Sequence, residues 1–169
     1  MGDIRPLSDR DRMRILNVIN EAAKAYKGKI PKDCYSEPYM SSEELEAEMR
    51  RMQFYGYYEG GDLVGVFGLQ HLLEHDVTLI RHLYVLPTHQ RRGIGTHLLK
   101  FGIEKAPTNV IYVGTWAAAD WAIRFYEKHG FKNLGNDRKL LRKYWDIPES
   151  QVESSVVLEY TKKASQEPK

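Results

Sequence analysis

Apolar residues in this chain recur with two different periods, and each switch of period marks the border of an element. Residues 3–7, DIRPL, read as an edge strand, with Pro6 where no ladder donor is needed. Ile15, Val18, Ile19, Ala22, Ala23 and Tyr26 then recur at spacings of three and four. That face predicts a helix over 11–26, behind an acidic start at Ser8, Asp9 and Asp11 and stopped by Gly28 and Pro31. The stretch KIPKDCYSEPYM has two prolines and several rings but no period, as expected of an ordered loop that shapes a pocket. EELEAEMRRM predicts a second short helix: Ser41 or Ser42 caps it, Glu43 and Glu44 favour its positive end, and Leu45, Met49 and Met52 line one side.

From Phe54 the period falls to two. FYGYYE and DLVGVFGLQH flank Glu59-Gly60-Gly61-Asp62, a hairpin turn whose glycines accept positive φ, and 76–85 follows as a third strand stopped by Pro87. Three such strands in succession make an antiparallel meander. Helical spacing returns over 93–106. A buried strand at 109–115, a helix over 119–129 closed by Gly130, a strand at 131–134 and a last strand at 152–160 that finishes the sheet follow. Within DRKLLRKYWDIPE, Leu140, Leu141, Tyr144 and Trp145 predict a short amphipathic helix. The order is that of a mixed α/β domain over 1–161, with 162–169 as a flexible tail.

Composition removes whole classes of function. A chain of 169 residues suits one domain, and a net charge of +2 excludes a broad polyanion-binding surface, so no nucleic-acid partner is expected. A single cysteine, Cys34, excludes an internal disulfide framework and makes a reducing compartment the default. The N-terminal MGDIRPLSDRDRMRI has acids among its bases and no apolar run, and Gly2 alone is too weak a signal for a lipid anchor. With no apolar stretch of 18 residues either, a cytoplasmic chain without a membrane partner is expected. His71 and His75 are four apart, but they fall in a hairpin and no carboxylate cluster accompanies them, so no metal is expected.

Candidate chemistry concentrates in Gln90-Arg91-Arg92-Gly93-Ile94-Gly95, between a strand ending near Leu86 and a helix. Glycines there let successive N–H groups and the helix N-terminus surround a diphosphate, while Arg91 or Arg92 adds charge at the rim. A Walker A loop would need Lys and Ser or Thr after its last Gly. A dinucleotide fingerprint would carry its glycines directly after the first strand of a βαβ unit, and neither pattern fits.

On LIRHLYVLPTHQRRGIGTHLLK and, one strand later, WAIRFYEKHGF, the chain resembles the GNAT superfamily of N-acetyltransferases over almost its full length. The resemblance implies the GNAT fold: a central, mostly antiparallel, strongly twisted mixed sheet flanked by helices. It also implies a V-shaped splay between the strands ending at Val85 and near Thr115, where acetyl-CoA lies. By the same resemblance Leu83, Tyr84 and Val85 belong to the strand that pairs with the pantetheine arm. Gln90, Arg91, Arg92, Gly93, Ile94, Gly95 and Thr96 surround the pyrophosphate. Ala119 stands where many relatives carry an Asn that helps to bind coenzyme A, with Asp120 beside it as a helix cap or polar replacement.

The activity implied is acetyl transfer from acetyl-CoA to a primary amine of a small molecule or peptide, by direct attack through a tetrahedral intermediate. Tyr126 corresponds to the family tyrosine near the CoA sulfur and is the candidate general acid. His82 is a candidate base or orienting residue, and Glu74, with its neighbours His75 and Asp76, is an alternative base. Tyr35, Tyr39, Trp116, Tyr144 and Trp145 are candidate walls of the acceptor site, which the variable segments 28–52 and 135–151 define. A noncatalytic acyl-CoA-binding sensor is the other reading of the same motifs. A homodimer is compatible with the family pattern, and no motif names the acceptor.

Overall fold

A computed structural model describes residues 2–162, so most of the expected tail lies outside the described residues. Seven strands form one sheet: β1 (Asp3–Pro6), β2 (Gln53–Glu59), β3 (Asp62–Leu72), β4 (Val77–Val85), β5 (Val110–Trp116), β6 (Lys132–Gly135) and β7 (Ser155–Thr161). Their order across the sheet is β1-β2-β3-β4-β5-β7-β6, and only β4 and β5 run parallel. The helices are α1 (Arg12–Ala23), α2 (Ser42–Arg51), α3 (Ile94–Lys105), α4 (Asp120–Lys128), α5 (Arg138–Tyr144) and α6 (Glu149–Glu153). The helix expected over 11–26 is α-helical only to Ala23 and tightens into a 3₁₀ turn over Lys24–Tyr26.

The sheet is covered on both faces. Val66 and Phe67 are adjacent in β3 and both fully buried, yet Val66 packs with Ile15, Ile19 and Leu45 from α1 and α2, while Phe67 packs with Leu98 and Leu99 of α3. Gly60 and Gly61 take φ of 60° and 89° in the β2–β3 hairpin, the positive values that a two-residue turn with right-handed strand twist requires. At the start of α2 the Ser41 hydroxyl accepts from the Glu44 N–H at 3.1 Å, and the Glu44 carboxylate accepts from the Ser41 N–H at 2.9 Å. This box fixes the phase of α2, and with it which residues face the sheet.

The last strand departs from the expectation. Residues 149–153 coil into α6, β7 begins only at Ser155, and it inserts between β5 and β6 instead of finishing the sheet. Val156, Val157 and Leu158 are buried in succession, which is the pattern of an inner strand covered on both faces. The short β6, with Lys132 and Asn133 exposed, is better suited to the edge.

Two features open the sheet at its centre. β4 and β5 pair only through Val77, Thr78 and Leu79 with Val110, Ile111 and Tyr112, so their remaining lengths diverge. Against β3, the register of β4 slips between the pairs Gly68–Arg81 and Val66–Tyr84, so that one residue of β3 opposes two of β4. His82 sits at this bulge with φ of 55°. A bulge bends its strand and re-aims side chains, and here it lies where β4 leaves β5.

Candidate active site

The diverging halves of β4 and β5 open onto a cleft of about 480 Å³, lined by Arg81, His82 and Tyr84 from one strand and Gly114, Thr115 and Trp116 from the other. Residues of segments 28–52 and 135–151 form its outer walls, among them Tyr39, Glu48 and Trp145. Each wall is tied to the scaffold. The Asn20 side chain of α1 donates to the Met40 carbonyl at 3.0 Å and accepts from the Met40 N–H at 2.8 Å, and the Trp116 indole donates to the Tyr39 hydroxyl at 2.9 Å. On the other side Asn136 donates to the Val152 and Ser155 carbonyls at 2.8 and 2.7 Å. Gly114 has no side chain because Trp145 occupies that ground: a Cβ there would lie 3.1 Å from the indole.

Phenols gather at one end of the cleft. The Tyr26 and Tyr84 hydroxyls are 3.3 Å apart, and the Tyr26 ring also contacts the rings of Tyr39 and Trp116. Burial pushes Tyr26 up to about 12, and Tyr39 and Tyr84 are raised by the same cause. Tyr126 of α4 is not among the residues that line the cleft: it is 92% buried against Phe125 and Phe131, and its charge, were it ionised, would act on both Tyr26 and Tyr84. Burial raises the pKa of Tyr126, which therefore keeps its proton at any working pH. Its hydroxyl has no hydrogen-bond partner among the described residues.

A second cluster forms at the bulge. His82 Nε2 lies 2.7 Å from Glu48 Oε1, Arg81 reaches the same oxygen at 3.3 Å, and Arg51 reaches the other at 3.2 Å. Burial alone would raise the Glu48 carboxyl, but the His82 hydrogen bond and the Arg81 and Arg51 charges outweigh it and bring the pKa from 4.5 down to about 2. Burial also lowers His82 from 6.5, against the opposing pull of Glu48. Both depressions act in one direction. As pH falls the unfolded chain takes up protons first, at His82 below 6.5 and at Glu48 below 4.5, so stability present at neutral pH is lost on acidification. Chemical denaturation between pH 4.5 and pH 2 is expected to show a loss of about 2 kcal/mol from Glu48, after discounting for the solvent it meets, and Glu48→Gln is expected to remove that part.

The glycine-bearing loop joins β4 to α3. Arg91 and Gly93 take φ of 67° and 83°, and α3 begins with no side chain capping its amides. A Cβ on Gly93 would meet nothing within 4 Å, so the protein leaves the ground beside this residue open. Arg92 is tied back to Glu59 at 2.8 Å, and the Gln90 side chain donates to the Val85 carbonyl at 2.9 Å, which folds the loop onto its own strand. That leaves Arg91, exposed and without an ion-pair partner among the described residues, as the free guanidinium. Open space, uncapped amides and a free Arg91 fit a diphosphate.

Comparison with known proteins decides the family. The model of the Acetyltransferase (GNAT) family matches residues 18–131. The chain belongs to the GNAT acetyltransferase family. It is similar to the N-alpha-acetyltransferase RimI of Mycobacterium tuberculosis, with 33% identity over 94 residues that make up 53% of this chain; the match spans 58% of that relative's length. Among solved structures, a GNAT-family acetyltransferase from Staphylococcus aureus superposes with a TM-score of 0.75 at 19% identity, covering 96% of this chain and 100% of the other. The PaiA N-acetyltransferase of Thermoplasma acidophilum, in complex with coenzyme A, gives 0.73 at 22% identity, covering 95% and 99%. At those identities the likeness is one of fold.

Within this GNAT framework the expected site residues separate. His82, Tyr84, Tyr39, Trp116 and Trp145 line the one cleft, whereas Glu74 lies exposed in the turn Leu73–His75, at the opposite end of β4 from the bulge. Tyr144 turns its ring to Tyr112 and His75, and the Tyr35 hydroxyl donates to Glu37 at 2.8 Å, so neither lines the cleft. The Ala119 methyl is fully buried, and at the start of α4 no side chain caps the helix, Asp120 included. Leu83 and Ile94 are core positions, and Thr96 Oγ1 lies 3.2 Å from His129 Nε2. Glu48, Arg81 and Tyr26 were not legible as site residues. Among the described residues no helix is long and apolar enough to cross a membrane, and no three His, Cys, Asp or Glu side chains gather as a metal site.

Proposed function

We propose that this protein transfers the acetyl group of acetyl-CoA to a primary amine of a small molecule or a peptide. One observation carries this reading: the cleft opens between unpaired lengths of β4 and β5, with the uncapped amides of α3 at the end of β4 and the Tyr126 phenol buried behind it, within electrostatic reach of Tyr26 and Tyr84. Extended pantetheine can hydrogen-bond to the free backbone of β4, while the amides over 91–95 and the Arg91 guanidinium hold the pyrophosphate. Similarity to coenzyme A-binding relatives supports the same arrangement.

In the reaction a neutral amine attacks the thioester carbon, an oxyanion forms on the carbonyl, and backbone N–H groups stabilise it. The C–S bond then breaks, and Tyr126 gives its proton to the departing thiolate. His82, lowered by burial and therefore neutral at pH 7, takes the proton that the nitrogen sheds. Holding amine and thioester together supplies several kcal/mol of the barrier reduction by itself.

The test is coenzyme A thiol release across a panel of peptide α-amines, lysine side chains, polyamines and aminoglycosides. The similarity to an N-alpha-acetyltransferase makes peptide α-amines the first members of that panel. Amine-dependent release with one N-acetyl product per thiol is expected. Tight binding of coenzyme A with no turnover across the panel would instead favour the noncatalytic acyl-CoA-binding reading.

A further inference from the structure

Resting on the acetyl-transfer reading, we infer that Glu48 is a positioning residue for His82: it holds the imidazole as the Nε2–H tautomer and leaves Nδ1 as the nitrogen that takes the proton from the acceptor amine.

The bulge in β4 makes the arrangement. In a regular strand, successive side chains point to opposite faces, yet Arg81 and His82 both reach the carboxylate of Glu48, because the extra residue turns one of them. Glu48 stands between Arg81 and Arg51 and is ionised, so it can only accept a hydrogen bond. At 2.7 Å from it, His82 Nε2 must therefore carry a hydrogen. The plane of the ring is fixed a second time by Phe54, stacked on it at 6.0 Å and 14°. Nδ1 has no partner among the described residues, and His82 lines the cleft, so Nδ1 is the nitrogen left to meet an amine directly or through one water.

The charged groups facing His82 are Glu44 and Glu48 from α2 and Arg81 from β4, and Arg51 of α2 acts on Glu48 and Arg81. Asp146, from the segment after α5, acts on Arg81. Arg81 is itself held by Gln70, 3.2 Å away, so the carboxylate cannot follow a shifting guanidinium. When the amine attacks, its nitrogen becomes cationic and gives one proton to Nδ1. The imidazolium keeps its Nε2–H bond to Glu48 and later returns the proton to water. Tyr126 protonates the thiolate and is reprotonated by water, so no proton is gained or lost beyond that exchange. Glu48 is also part of the cleft wall, but one of its oxygens is taken by His82 and Arg81 and the other by Arg51, so its part in the proton transfer runs through the ring.

Nitrogen NMR of ring-labelled histidine in the free protein tests the tautomer without any acceptor. His82 is expected as the neutral Nε2–H form at pH 7, and in Glu48→Gln its titration is expected to move down by about one pH unit, as the loss of one charge-assisted hydrogen bond implies. With an amine that turns over, Glu48→Gln is expected to lower kcat about 10- to 100-fold with KM for acetyl-CoA unchanged, and to move the acid limb of the pH–rate profile by the same amount as the NMR titration. His82→Gln abolishes that limb, and adding Glu48→Gln to it costs nothing more. An Nδ1–H tautomer in the wild-type protein, an unmoved titration in Glu48→Gln, or additive losses in the double variant would overturn the inference. The expected tautomer and shift in a protein with no amine-dependent turnover would overturn the acetyl-transfer reading instead.

Discussion

Tyr126→Phe is expected to lower kcat by about 100-fold or more while leaving the affinity for acetyl-CoA and the thermal stability close to those of the wild-type protein. The expectation rests on what the hydroxyl does not do. It bonds to nothing among the described residues, so its removal leaves no buried group unpaired, and the ring keeps its contacts with Phe125 and Phe131 at 5.2 and 5.5 Å. A purely structural tyrosine would therefore be replaceable by phenylalanine at no cost. What phenylalanine cannot do is donate to a leaving thiolate, which must then depart unprotonated or take its proton from water. Single-turnover release of the thiol measures the chemical step apart from product release, and an undiminished rate in Tyr126→Phe would remove this residue from the mechanism.

The second large effect is expected at the loop before α3. Gly93 takes φ of 83°, so Gly93→Ala costs about 1 kcal/mol of stability from the left-handed conformation alone. Its Cβ would meet no protein atom within 4 Å and would instead project into open ground, where the proposed diphosphate would lie against the amides. Titration calorimetry with coenzyme A is expected to show at least a tenfold loss of affinity, roughly 1.4 kcal/mol or more. Gly95→Ala separates the two causes. Gly95 has no positive φ, and a Cβ there would stand at 3.5 Å from the Phe125 ring, an ordinary contact, so a loss of coenzyme A affinity at unchanged stability reports the ligand's close approach alone. Wild-type affinity in both variants would place the diphosphate elsewhere.

Much of this was readable in the sequence because it is local. The Glu59-Gly60-Gly61-Asp62 turn, the capped start of α2 and the glycine loop ahead of α3 are each written within six residues, and each forms as its residues dictate. The insertion of β7 between β5 and β6 is not local. Its only trace in the chain is the unbroken apolar run Val156-Val157-Leu158, which signals an inner strand without saying between which neighbours. The bulge at His82 escaped for a different reason: positive φ was borne by a histidine, with no glycine to announce it. Glu48 escaped because its partners Arg81 and His82 lie more than 30 positions along the chain, so that from α2 alone it looks like one more solvated acid. Glu74 was misleading in the opposite sense, being near His82 in sequence but at the far end of β4 in space.

The most direct test of the account is a structure of the protein with coenzyme A and an amine from the panel bound together. The expected complex has the pyrophosphate on the amides over 91–95, the pantetheine arm between β4 and β5, and the sulfur within hydrogen-bond reach of the Tyr126 hydroxyl. The amine nitrogen should lie about 3 to 3.5 Å from where the thioester carbon would be, on the side of the cleft that His82 lines. Coenzyme A bound away from the opening between β4 and β5, or an amine with no path to the sulfur from the His82 side, would contradict it.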